Sequence, residues 1–175
     1  MLGGESPDTL TSVDNLGLVL FSQGKYDEAG AMHQRALEAR ERVLGCEDPD
    51  TLTSVSNYGN VLCSLGKYEV AEAMHRRALE AREKVLGREY PDTLNSVSYL
   101  GNVLFSQGKF EEAELMHRRA LEVREKVLGR EHPYTLSSVN ILGLMLSSQG
   151  KYEEAEAMHR LVLEARHKVL VREQI

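Results

Sequence analysis

Four histidines recur at one fixed interval: His33, His75, His117 and His159. Histidine ligates metals and acts as a base near neutral pH. A zinc shell gathers its ligands to within about 2.1 Å of one ion. These four come one per repeating unit, so they stand on successive helices, about 10 Å apart. They are expected to pack as aromatics would, with no metal and no cofactor. His132 and His167 fall off the interval and read as surface residues. The carboxylate pairs Glu111–Glu112 and Glu153–Glu154 each open a helix. There they favour the helix dipole rather than form an acid–base couple. Cys63 has no histidine or basic residue close by in its own helix, so it reads as a small filler, not a nucleophile. The glycines fall singly and build no phosphate loop. No enzyme is expected.

The elements that position these residues follow from a repeat of 42 residues. Residues 88–129 match the preceding 42 at 31 of 42 positions. Pro7, Pro49, Pro91 and Pro133 keep the interval, as do Gly24, Gly66, Gly108 and Gly150, each followed by lysine and an aromatic. Proline suits the first helical turn, where its missing N–H has no intrahelical partner. Glycine closes a helix in the left-handed conformation. The period thus predicts helix A over residues 8–22 and helix B from residue 26 to 44, with apolar residues at helical spacing in both. Units of this kind bury their apolar faces only against neighbours. They are expected at residues 7–48, 49–90, 91–132 and 133–174, and residues 1–6 read as the tail of a preceding unit. Gly17, Gly59, Gly101 and Gly143 lie inside helix A, where glycine costs about 1 kcal/mol against alanine. Their recurrence predicts a close approach between helices. Met32, Met74, Met116 and Met158 lie on the apolar face of helix B and read as core.

The net charge is −6, and charged residues of both signs make up 27% of the chain. That balance disfavours nucleic acid as a partner and suits solvated helices. No run is long and apolar enough to span a membrane. Cys46 and Cys63 sit at unrelated repeat positions and are expected as reduced thiols in a cytoplasmic protein.

Val13, Leu16, Gly17, Leu20, Gly24, Tyr26, Ala29, His33, Ala36 and Leu37 together resemble the tetratricopeptide repeat. In the usual pattern tryptophan stands at the valine, tyrosine at Leu20, an aromatic at the histidine and a closing proline at Glu41. The 42-residue unit is similar to the kinesin-light-chain type and to the sensor repeats of nucleotide-binding STAND receptors. A HEAT-like solenoid has a similar period, but the G-K-[YF]-x-x-A turn argues against it. The resemblance implies an all-α, right-handed α-solenoid of four helix–turn–helix repeats. It further implies protein–protein interaction through a concave groove lined by helices A. The groove positions carried over are Asp14, Leu18 and Phe21; Ser56, Asn60 and Cys63; Ser98, Asn102 and Phe105; and Asn140 and Leu144. Asn60 and Asn102 could bond the backbone of an extended peptide. No lysine or arginine occurs in residues 8–23 or their three copies, so the groove is expected to be neutral. The alternative is a self-assembly module. In the last unit, Leu161 and Val162 stand where siblings have arginine and alanine. With Leu170 they predict an uncovered apolar surface and a homodimer through the C-terminal helix.

Overall fold

The computed structural model describes the backbone of residues 6–172 and the side chains of residues 6–168. Among the described residues it contains eight helices and no strand. The first helices of the units are α1 (Pro7–Ser22), α3 (Pro49–Ser64), α5 (Pro91–Ser106) and α7 (Pro133–Ser148). The second helices are α2 (Tyr26–Val43), α4 (Tyr68–Val85), α6 (Phe110–Leu128) and α8 (Tyr152–Arg172). They form an all-α, right-handed solenoid of four helix–turn–helix repeats.

Local chemistry sets the helix ends. Each first helix starts at its proline; Ser6, Asp48 and His132 cap three of them by accepting a bond from a first-turn N–H. His132 is therefore a half-buried cap rather than a free surface residue. The glycines between the paired helices have φ of 73–78°, the left-handed turn that reverses the chain.

Packing runs along the array rather than around one centre. Val97, Leu100 and Leu104 of α5 pack with Leu79 of α4, Ala113 and Ala120 of α6, and Met145 of α7. Ala36, Ala78 and Ala120 occupy one buried position of the second helices, and small residues there let the next helix approach. Across neighbouring units α1 touches α3 and α3 touches α5 directly, and the exposed face of α1, α3, α5 and α7 is called the inner face below.

The close approach predicted from the internal glycines has an identifiable partner. A Cβ on Gly59 would lie 2.8 Å from the His75 ring, and one on Gly101 would lie 2.6 Å from His117. The histidine ring occupies the space that the glycine vacates.

Candidate functional site

Two surfaces can be built from these elements. One is the exposed inner face of the first helices. The other is the polar seam where each second helix meets the next repeat.

On the inner face, Leu18, Asn60, Asn102 and Leu144 occupy one position of α1, α3, α5 and α7. Leu18 and Leu144 are 45% and 58% exposed, Asn102 is exposed and Asn60 half-buried. Phe21, Cys63 and Phe105 share a second position and are half-buried. The Phe21 ring packs tilted against Tyr26 at 5.3 Å and Phe105 meets Phe110 edge-on at 5.2 Å, while the Cys63 thiol lies 3.9 Å from Ser106 Oγ.

The third expected groove position lies beneath this face. Asp14, Ser56 and Ser98 are buried, and Asn140 is half-buried. Their side chains are used inside the fold, so the expectation that they face a ligand is corrected. Asp14 Oδ1 bonds His33 Nδ1 at 2.6 Å, and Oδ2 accepts from Arg40 and from Ser54 Oγ at 2.8 Å. Ser56 accepts from Arg82 at 2.9 Å, Ser98 accepts from Arg124 at 3.2 Å, and Asn140 Oδ1 meets His159 Nδ1 at 3.1 Å.

The seam thus turns on three arginines that the sequence reading passed over. Arg40, Arg82 and Arg124 follow the buried histidines by seven residues, two turns along the same face, and that spacing was the available signal. Each reaches from its own unit to the next. Arg40 Nη1 donates to Ser54 Oγ at 2.7 Å, Arg82 Nη1 to Ser96 Oγ at 2.6 Å, and Arg124 Nη1 to Ser138 Oγ at 2.5 Å.

The electrostatics differ between junctions. Burial pushes the Asp14 carboxyl up, but the bonds from His33 and Ser54 and the Arg40 charge together hold it below the usual range. His75 has no partner for either ring nitrogen. Burial, aided by the Arg82 charge, pushes it down to about 4. His117 is brought to about 4 by burial and Arg124. Both are neutral packing rings at pH 7, as His33, His75 and His117 are fully buried. Among the described residues no cluster of histidine, cysteine, aspartate or glutamate could hold a metal, and no helix is long and apolar enough to cross a membrane.

The C-terminal surface also needs correction. Leu161 is 40% exposed, but Val162 is 5% exposed, because it fills the position of the buried Ala78 and Ala120. The Leu170 side chain lies outside the described residues. Leu163 is the residue laid bare, at 68%, where Leu37 and Leu79 are covered by the next repeat.

The tetratricopeptide repeat family model matches residues 5–84, 54–126 and 92–168. Among solved structures, BtubC (BKLC) from P. vanneervenii superposes with a TM-score of 0.81 at 22% identity, over 94% of this chain and 66% of that one. This chain therefore spans just under two thirds of BtubC. Nearly identical TPR-like repeats of kinesin-light-chain type from Podosopora anserina superpose in two crystal structures, with TM-scores of 0.83 and 0.79. Their identity is 23%, over 97% of this chain and 80% of theirs. At such identities the likeness establishes the fold alone. Comparison with curated proteins gives no significant match.

Proposed function

The chain belongs to the tetratricopeptide repeat family, and from that premise we propose that it binds an extended peptide or protein segment along the inner face of α1, α3, α5 and α7. The family generally mediates protein–protein interaction, and its scaffold is generally non-catalytic. In this reading the four units act as one continuous array in the cytoplasm, with no catalytic step.

The observation that carries the reading is the Leu18–Asn60–Asn102–Leu144 row. The two central amides have no partner within the described residues, and no charged side chain flanks them on their own helices. An amide both donates and accepts, which suits a peptide backbone. The leucines at either end offer apolar contacts. The second helices present a different surface: Arg76–Glu72, Arg118–Glu114 and Arg160–Glu156 already pair their charges.

The test is selection of binders from a random peptide library, followed by affinity measurement on the wild type and on Asn60→Ala/Asn102→Ala. Two lost bonds should weaken binding by about tenfold or more. Because the face lacks cations, affinity should change little with salt. Peptides that bind the double variant equally well would refute the groove.

A second reading is self-association. Leu16 and Val19 of α1 are 50% and 53% exposed, whereas their counterparts Leu100 and Val61 are 2% and 0%. Leu163 is exposed on α8 in the same way. These are the two halves of an internal repeat junction, so they favour head-to-tail stacking over pairing about a two-fold axis. Light scattering across a concentration series tests it. Mass should rise with concentration and fall back in Leu163→Glu; a monomer at high micromolar concentration ends this reading.

A further inference from the structure

A buried guanidinium is costly unless an anion or a full set of acceptors meets it. Arg40, Arg82 and Arg124 are 4%, 6% and 8% exposed, at one position of α2, α4 and α6. Their counter-charges thin out along the chain. Arg40 meets the Asp14 carboxylate directly. Arg82 has Ser56 in that place, and the Asp92 carboxylate acts on it through space. At Arg124 both are gone: Ser98 stands at the Asp14 position and Tyr134 at the Asp92 position. Its bonds go to neutral oxygens only, Ser98 Oγ at 3.2 Å, Ser138 Oγ at 2.5 Å and Asn95 Oδ1 at 3.0 Å.

A cavity of about 310 Å³ opens onto this same arginine. It lies where the end of α6 meets the starts of α5 and α7, and Pro91, Leu94, Val127, Leu128 and Tyr134 give it apolar walls. Asn95, on its rim, belongs to the exposed inner face, so the mouth adjoins the groove. Two carboxylates also line it. Glu89 is paired with Lys126 at 2.7 Å, and Asp92 also lines the neighbouring cavity at Arg82.

We infer that the cavity is a carboxylate site, which seats an apolar group and brings the carboxylate it carries to Arg124. With Glu89 met by Lys126 and Asp92 acting on Arg82, Arg124 can take a monoanion, whereas the two rim carboxylates repel a phosphate dianion. The apolar walls require an apolar neighbour to the charge. In a peptide this chemistry belongs either to a chain end or to an acidic side chain beside an apolar residue. The assignment to a peptide rests on the groove reading; the site itself does not.

The experiment therefore uses small probes on the full chain. Hexanoate is titrated while the backbone amides of Asn95, Leu128 and Tyr134 are followed by NMR, with hexanamide as the neutral control. Hexanoate should give saturable shifts at least tenfold tighter than hexanamide. Ser98→Asp, which gives Arg124 the internal carboxylate that Arg40 has, should weaken hexanoate at least tenfold. Ser56→Asp, one junction away, should leave it unchanged. Acetyl-Leu-Leu with a free end and acetyl-Leu-Glu-amide then separate chain end from side chain. Equal binding of hexanoate and hexanamide, absence of saturable shifts, preference for inorganic phosphate, or unchanged affinity in Ser98→Asp would each overturn the site. The hexanoate and hexanamide arms need only the wild type, so a variant that fails to fold leaves the test intact. Loss of the Asn60 and Asn102 effect with hexanoate binding retained would sink the groove alone.

Discussion

At the first junction Asp14 lies inside, between His33 and Arg40, and the outer position that later carries glutamate is Gly30. At the next two junctions Ser56 and Ser98 replace the aspartate, and the carboxylate stands outside. Glu72 pairs with Lys109 at 2.8 Å and Glu114 with Lys151 at 2.7 Å, each across the junction. The first unit thus holds its charge pair inside, between α1 and α2, and the later units hold theirs outside, between a second helix and the turn lysine of the next unit, in a different dielectric. An inner pair interacts strongly, but it is costly to half-remove, since the surviving ion stays buried. An outer pair is screened by water and salt. Moving the carboxylate outward leaves the helix contacts in place and leaves an arginine in want of an anion.

The largest expected effect lies at the inner pair. Asp14→Ala strands Arg40 and one nitrogen of His33, and should cost about 3–5 kcal/mol in urea unfolding. Asp14→Ser, which copies the later junctions, should cost less. Equal costs would mean that the serine junctions owe nothing to their hydroxyls.

Acid should act next, through the later junctions. His75 and His117 stay neutral in the fold until about pH 4, whereas an unfolded histidine takes up its proton near 6.5. Between these values the unfolded chain binds more protons, so stability rises with pH. It is fully present above pH 6.5 and is lost as pH falls towards 4, by on the order of 3 kcal/mol for each ring. The double variant His75→Phe/His117→Phe should flatten unfolding midpoints over this window; an unchanged slope would contradict the buried neutral rings.

Smaller costs should follow when the glycine beside each ring gains a methyl. Overpacking costs about 1–3 kcal/mol, and the better helix propensity of alanine returns about 1. Gly17→Ala should cost most, because the Asp14 bond pins His33. Gly59→Ala should cost less, since His75 is buried but unbonded, and Gly143→Ala least, since His159 is half-buried. A melting series in which Gly17→Ala does not cost most would show that the Asp14 bond does not decide. The smallest effect belongs to the outer rung. Lys109 in the first place, with Arg76, holds the Glu72 carboxyl down at about 2. Its replacement by glutamine should nevertheless cost only about 0.2–1 kcal/mol and vanish at high salt.

Helix ends and the glycine approach were legible because they depend on local chemistry repeated at a fixed interval. Pro7 and Gly24 mark a start and a stop wherever they stand. The partner of Gly17 was legible only as a small gap, since nothing in helix A says which ring fills it. Position 14 was misread for a related reason. A polar residue that varies between units looks like a ligand contact, and its burial becomes visible only when Arg40, from another helix, is placed beside it. Val162 shows the same limit, since an apolar residue in place of alanine reads equally as exposed patch or fuller core. Leu18, Asn102 and Leu144 are exposed and Asn60 is half-buried, and the fixed interval alone puts the four on one helical face.

Whether a ligand meets the first or the second helices is read most directly by NMR shift mapping with a library-selected peptide. Perturbed amides should cluster at Thr53, Asn60, Asn95 and Asn102 along the inner face of α3 and α5. A cluster instead around Glu69, Arg76 and Glu111, on the second helices, would contradict the inner groove.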